Sequence, residues 1–125
     1  MFYRIIGIII IHIVFLFPVN LYSSSLREDY ELSEQCGKRC EEHFIKILKP
    51  LNFNIYHSHY NKRLNKCFIL FYNGSVKYLK DVNENRLYGW VTLDKDGNTL
   101  LCSVRDKECK SEKEWDLLIK PYMEE

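Results

Sequence analysis

Alanine is absent from this chain of 125 residues, whereas Ile, Asn, Lys and Tyr are abundant. We attribute this bias to AT-rich codons, so it indicates nothing about function. An excess of charge of one sign is also missing, since 18 basic and 17 acidic residues give a formal net charge of +1. A nucleic-acid-binding domain normally has a basic patch and an excess of Lys and Arg. The charge balance therefore argues against a nucleic-acid partner.

A hydrophobic run long enough for a permanent membrane span is missing as well. The apolar run from Ile5 to Val19 is shorter than the roughly 20 residues that a spanning helix needs. It follows the basic Arg4 and precedes a polar tail of small residues, which is the layout of a secretory signal peptide. We therefore predict a signal peptide over residues 1–25 and a periplasmic or secreted domain over residues 26–125. If the segment is not cleaved, it is the one part expected to contact a membrane.

The five cysteines all lie in the predicted mature domain. Exported domains of this size often use disulfides because their hydrophobic cores are small. Five cysteines then predict two disulfides and one remaining thiol. The cysteines are Cys36, Cys40, Cys67, Cys102 and Cys109.

Cys36 and Cys40 are one helical turn apart, which makes a disulfide between them awkward. Two cysteines also fall short of the four ligands that structural zinc requires. We expect one of the two to pair with a distant cysteine and the other to be a small buried residue. The short separation of Cys102 and Cys109 suits a local disulfide.

The predicted fold is α+β, with an N-terminal helix packed on an antiparallel meander of four or five strands and a short C-terminal helix. Apolar residues at spacings of four and three, Ile47 among them, predict the first helix over residues 33–48. Ser33 is its predicted N-cap, and Pro50 its predicted stop. A capping box at Ser111 predicts a last helix over about residues 112–120, limited by Pro121.

Two dipeptides predict the hairpins of the meander, because Asn-Gly and Asp-Gly favour two-residue type I′ turns. The turn at Asn73–Gly74 would place Phe71 opposite Val76. The turn at Asp96–Gly97 would pair three residues of one strand with three of the next and put Tyr88, Trp90 and Leu101 on the face away from the core. The expected pairs are Leu93 with Leu100, Val91 with Cys102 and Gly89 with Val104.

His57 and His59 are the best metal-ligand candidates, since alternation along a strand places both on one face about 7 Å apart. No further histidine or carboxylate pair completes a site, so we predict neither a metal nor another cofactor. A catalytic pair of Cys67 with His59 would need a thiol of lowered pKa and an oxyanion site. The sequence offers neither.

The segment HYNKRLNKCF, residues 59–68, follows the helical pattern of Cys36, Cys40 and Phe44. In these features the chain resembles a group of small exported bacterial proteins. The similarity continues through residues 81–89 and 102–123 and covers most of the mature chain. The group has no assigned activity, so the resemblance implies no catalytic residue.

The resemblance does imply a set of disulfide cysteines. Cys36, Cys67, Cys102 and Cys109 would form the two disulfides, and Cys40, at a position where such proteins tend to carry alanine, would be the free thiol. A bond between Cys40 and Cys67 is the alternative. It would turn the helix by about one turn against the sheet.

Two classes of function follow. The favoured one is a non-catalytic binding or interaction module whose partner is a protein, a peptide or a glycan, because nine tyrosines and two tryptophans could supply an aromatic surface. The alternative is a small thiol- or metal-dependent enzyme that uses Cys40 or Cys67 with His57 and His59.

Overall fold

A computed structural model describes residues 25–124. The chain divides into two compact units, Met1–Leu32 and Ser33–Glu125. The described residues of the first unit, 25–32, are helical. The predicted signal peptide, residues 1–25, lies outside the described residues except for Ser25. All elements that follow belong to the second unit.

Helix α1 covers residues 33–43 and continues as a π-helical turn, Phe44–Leu48, and a 3₁₀ turn, Lys49–Leu51. The prediction that Ser33 caps the start of a helix is wrong, because residues 25–32 are already helical. Pro50 does not stop the helix before it, since it lies in the first turn of the 3₁₀ segment, where its missing N–H is tolerated. The helical segment ends directly after the 3₁₀ turn, at Asn52, whose φ of 68° is left-handed.

The π-helical turn changes which side chains of α1 reach the sheet. Cys36, Cys40 and Leu48 are buried as predicted, but Ile47 is 49% exposed. A π turn accommodates an extra residue, so the side chains after it are rotated relative to a regular α-helical stripe. Ile47 therefore lies on the surface and not in the predicted core stripe.

The sheet has six antiparallel strands in chain order, which confirms the α+β plan of helix, meander and helix. The expected number of four or five strands is corrected to six. The sixth strand forms because the chain turns back at Arg105, with φ 58°, and pairs with the preceding strand. The strands are β1 (Ile55–Asn61), β2 (Lys66–Tyr72), β3 (Val76–Asp81), β4 (Arg86–Leu93), β5 (Thr99–Val104) and β6 (Lys107–Glu108).

The first predicted hairpin register is wrong by two residues, because Phe71 lies opposite Tyr78 and not Val76. The side-chain Oδ1 of Asn73 accepts hydrogen bonds from the backbone N–H groups of Ser75, at 3.0 Å, and Val76, at 3.1 Å. These bonds centre the turn one residue later than a type I′ turn at Asn73–Gly74 would. A shift of two residues keeps every side chain on its predicted face.

Two β-bulges make the pairing differ from the prediction at two further positions. Tyr88 is the extra residue where the register shifts between β3 and β4, so it turns toward the core and is 6% exposed, contrary to prediction. Near the second turn Leu93 pairs with Thr99, and Leu100 is the extra residue. The predicted pairing of Val91 with Cys102 and of Gly89 with Val104 is confirmed.

Helix α2 spans Glu112–Met123 and begins at the predicted cap. The Ser111 Oγ accepts a hydrogen bond from the backbone N–H of Glu114 at 3.1 Å. The Glu114 carboxylate accepts one from the backbone N–H of Lys110 at 2.9 Å, one residue before the Ser111 amide that donates in a regular capping box. Both bonds satisfy amides at the start of the chain's last helix.

The predicted end of α2 near residue 120 is wrong, since Pro121 lies inside the last turn. Asn61, which is fully buried at the end of β1, donates through Nδ2 to the carbonyl oxygens of Pro121 at 2.9 Å and Tyr122 at 3.2 Å. A helix end needs such donors for its unpaired carbonyls. This contact between β1 and α2 therefore supports the turn that contains the proline.

The two helices cover opposite faces of the sheet. Alternation along β2 sends Cys67, Ile69 and Phe71 toward α1, and we call this side the α1 face. Phe68 points toward α2, and we call that side the α2 face. The core of the α1 face consists of Cys36, Cys40, Leu48, Cys67, Ile69 and Phe71. The core of the α2 face consists of Phe68, Leu79, Tyr88, Val91, Cys102, Val104, Cys109, Trp115 and Ile119.

Candidate functional site

Three cysteines lie together between α1 and β2. Cys36 forms a disulfide with Cys67, and Cys40, one turn along α1, has its Sγ 3.6 Å from the Sγ of Cys67. The second disulfide joins Cys102 to Cys109, and Cys40 is a free, buried thiol. These are the disulfide cysteines and the free thiol that the resemblance implies.

The Cys40 thiol has low reactivity in this environment. Burial raises the pKa of Cys40 from 9.0 to about 12. Nucleophilic attack and metal ligation both need the thiolate, which is scarce at neutral pH when the pKa is so high. The Sγ atoms of Cys36, Cys40 and Cys67 lie within 4.8 Å of one another, but the disulfide occupies two of them. In this state the cluster acts as a covalent link beside a protonated thiol.

His57 and His59 share one face of β1, as predicted, where they lie opposite Leu70 and Phe68 of β2. The Nε2 of His57 is 3.3 Å from the hydroxyl of Tyr72. Among residues 25–124, no third cysteine, histidine or carboxylate comes close enough to these histidines to form a group of metal ligands.

The candidate cysteines and histidines lie on opposite sides of the sheet. Cys67 belongs to the α1 face, and the residue opposite it on β1 is Tyr60. His59 lies opposite Phe68, which belongs to the α2 face. Because neighbouring side chains of a strand point to opposite faces, the backbone of the sheet separates the two sets. The structure therefore does not bring Cys40 or Cys67 together with His57 and His59.

An apolar groove with a volume of about 410 Å³ opens on the α1 face, beside the end of α1. Ile47 and Leu51 line it on the helical side, and Leu87 lines it on the sheet side. These three side chains are 49%, 62% and 44% exposed. The aromatic residues that line the groove are Phe53, Phe71 and Tyr78, with ring centroids 4.9 to 5.8 Å apart.

Two local features of the backbone create this groove. The π-helical turn rotates Ile47 out of the core stripe, as described above. The left-handed residue Asn52 then reverses the chain, and the backbone N–H of Phe53 donates to the carbonyl oxygen of Leu48 at 3.2 Å. The reversal packs the Phe53 ring against Phe71 while leaving the apolar walls open.

Polar groups border the apolar groove. Lys80 and Asn85 line it together with the apolar residues. The Lys80 ammonium lies 3.4 Å from the Nε2 of His43, which lines a second cleft of about 550 Å³ between α1 and the turn after β3. We call this second cavity the basic cleft, since Arg39 and Lys46 also line it. Ile47 lines both cavities, so the apolar groove and the basic cleft adjoin.

These cavities have no single signature in the sequence, because their residues come from α1 and the segment after it, from β2 and β3, and from the turn after β3 and the start of β4. The one available signal is an excess of apolar side chains near residues 47–51, beyond what a single helical stripe can bury. Among the tyrosines and tryptophans of the described residues, Tyr78 lines the apolar groove. Comparisons with protein-family models, with curated proteins and with solved structures give no match to this chain. No helix within residues 25–124 is long and apolar enough to cross a membrane.

Proposed function

We propose that this protein is a small exported binding module without catalytic activity, and that its ligand is a peptide segment with aliphatic and acidic side chains. The apolar groove carries this proposal. Two disulfides are typical of proteins from a non-reducing environment, which supports the exported part.

The first support is the exposure of aliphatic side chains at a concave site. Ile47, Leu51 and Leu87 are large, apolar and substantially exposed around an aromatic floor. Peptide-binding sites commonly combine an apolar pocket with a few polar groups that fix the orientation of the ligand. An aliphatic side chain of a bound peptide would remove these three residues from water.

The second support is charge. Among the described residues no carboxylate lies within ion-pair distance of Lys80, whose ammonium borders the groove. Burial lowers the pKa of Lys80, because its environment is poorly hydrated. A carboxylate from the ligand would supply the missing counter-charge, so an acidic residue beside the aliphatic one is the complementary choice.

The alternative, a thiol- or metal-dependent enzyme, has less support. Its thiol would be Cys40, whose raised pKa disfavours the thiolate, or Cys67, which is in a disulfide. Its bases would be His57 and His59, which lie on the other side of the sheet from both cysteines.

The proposal is tested by selecting peptides from a displayed library of random sequences on the full mature protein. We expect the enriched peptides to share an aliphatic residue next to Asp or Glu. The double variant Leu51→Ser/Leu87→Ser should lose their binding by at least about tenfold, equivalent to about 1.4 kcal/mol.

The matched control is Leu100→Ser/Leu101→Ser, which removes two exposed leucines from β5, outside the groove. It should bind the selected peptides like the unchanged protein. Failure to enrich any peptide, or equal losses in both double variants, would contradict the proposal.

A further inference from the structure

The basic cleft differs from the apolar groove in its lining. Arg39, His43 and Lys46 project into it from α1, and Asn83 closes it from the turn after β3. Its volume of about 550 Å³ leaves room for a small polar group together with the molecule that carries it. The cleft therefore has the dimensions of a ligand site of its own.

The charges around this cleft are out of balance. Arg39 and Lys46 are the cations and Glu42 the one carboxylate among the residues that line the cavity. Glu42 lies 4.0 Å from Lys46, at the limit of an ion pair. Lys80 lies just outside the lining, beside His43, and together these four side chains have an excess of two positive charges before His43 is counted.

The donors around the cleft are only partly used. Arg39 Nη1 donates one hydrogen bond to Oδ1 of Asn83 at 2.7 Å, and its remaining N–H groups are available to a ligand. The Lys80 ammonium has His43 Nε2 as its neighbour at 3.4 Å, an arrangement in which a neutral imidazole accepts from the ammonium. The Lys80 ammonium and the His43 imidazole, which becomes a cation on protonation, are thus held together without an anion between them.

His43 responds to this arrangement. Burial lowers the pKa of His43, and the positive charge of Lys80 lowers it further. From α1 the groups around it are Arg39, Glu42 and Lys46, and from β3 the facing charge is Lys80. An anion placed among these groups would reverse the sign of the local field, so its binding and the protonation of His43 favour each other.

We propose that the basic cleft is a binding site for a doubly charged oxyanion, a sulfate or phosphoryl group, held by Lys80, Arg39 and the protonated imidazole of His43. The inference goes beyond the peptide ligand of the apolar groove and does not depend on it. Lys80 lines the apolar groove and contacts His43 of the basic cleft, and Ile47 lines both cavities. Two excess positive charges match one dianion, and the His43 proton adds to its affinity as the pH falls.

The test is a titration of the full mature protein with sodium sulfate, followed by NMR of backbone amides and of the His43 ring. Sulfate keeps its double charge across the working pH range, so a change of affinity with pH reports on the protein. Sodium chloride holds the ionic strength constant. We expect saturable shifts at residues 39–46 and 80–83, a higher pKa of His43 with sulfate, and at least about fivefold tighter binding at pH 5.5 than at pH 7.5.

The variant Lys80→Met should weaken binding at least about tenfold, whereas Lys95→Met, which removes an exposed lysine of the β4–β5 turn, should leave it unchanged. His43→Gln should abolish the pH dependence. If Lys80→Met does not fold, the pKa of His43 measured in the unchanged protein with and without sulfate still tests the proposal. Shifts that do not saturate, an unchanged pKa of His43, or equal effects of both lysine variants would overturn the proposal.

A second set of titrations separates the sources of the anion. Inorganic phosphate and glycerol phosphate represent soluble ligands, and vesicles that contain phosphatidic acid represent a lipid headgroup. Saturation by the soluble compounds at the same residues supports a soluble ligand, and preferential binding to the vesicles supports a headgroup. Absence of binding to every phosphate compound, even with sulfate binding, would overturn the phosphoryl part of the proposal.

Discussion

The two faces of the sheet are built in different ways. On the α2 face, apolar residues from β2 to β5 meet Trp115 and Ile119 of α2 in one continuous cluster. On the α1 face, the buried cluster involves β2 alone among the strands, and the disulfide from Cys36 to Cys67 fixes the helix there. Each face has one disulfide, but the α2 face has the larger buried cluster, whereas the α1 face combines a smaller cluster with the apolar groove and the basic cleft.

This difference separates stability from recognition. A sheet face with a large buried cluster contributes more hydrophobic burial and leaves less apolar surface for a ligand. On the α1 face the helix ends in a π turn and a 3₁₀ turn, and exposed apolar side chains remain there beside the Lys80 ammonium. The disulfide on this face offsets the smaller buried area, because it limits the freedom of the unfolded chain.

The largest expected effect comes from breaking the core of the α2 face at its centre. Trp115 is fully buried, so Trp115→Ala should lower the free energy of unfolding by about 3–5 kcal/mol. Among the described residues its indole N–H has no hydrogen-bond acceptor. Trp115→Phe keeps an aromatic ring and removes a donor whose burial costs about 1–3 kcal/mol, so its loss should stay below about 2 kcal/mol. Urea unfolding of both variants checks this, and equal losses would contradict it.

The next effect distinguishes the disulfides of the two faces. Cys36–Cys67 spans 31 residues and Cys102–Cys109 spans 7. Chain entropy then predicts losses of about 3.7 and about 2.4 kcal/mol when each pair is replaced by alanine. Thermal unfolding of Cys36→Ala/Cys67→Ala and of Cys102→Ala/Cys109→Ala measures the difference. A larger loss for the shorter loop would show that packing, and not loop closure, dominates.

The smallest effect concerns the free thiol of the α1 face. Cys40→Ala removes one buried sulfur atom and should cost about 1 kcal/mol at neutral pH. Burial raises the pKa of Cys40 from 9.0 to about 12, so its contribution is complete below pH 9.0 and declines as the pH rises toward 12. The unchanged protein should therefore lose its advantage over Cys40→Ala in alkali. Denaturant unfolding near pH 7.5 and near pH 10 measures this, and a constant difference would contradict it.

Local sequence patterns predicted the elements well and their exact pairing less well. Alternation along β1 identified the common face of His57 and His59, and the capping box at Ser111 identified the start of α2. The first register failed because the side chain of Asn73 takes two backbone amides and moves the turn. Tyr88 was assigned to the wrong face because a bulge depends on the neighbouring strand, which a pattern within β4 does not contain.

The candidate site was harder to predict than the fold. Cys36 and Cys67 follow from a helical stripe and a resemblance, so their sequence signal is local. The groove brings Leu51 together with Leu87, which are far apart in the chain and have no shared pattern. The common face of His57 and His59 was predicted correctly from alternation along β1, which is a local pattern. That pattern does not show whether other side chains lie close enough to complete a metal site. Tertiary contacts determine both the groove and the surroundings of the two histidines.

The most direct measurement is an NMR map of amide and methyl shifts in the protein as a library-selected acidic peptide is added. We expect saturable shifts around Leu51, Tyr78 and Leu87 on the α1 face, with the residues of α2 unmoved. Shifts centred on Leu118 and Tyr122 of α2, or spread without saturation over both faces, would contradict the division between a face for stability and a face for recognition.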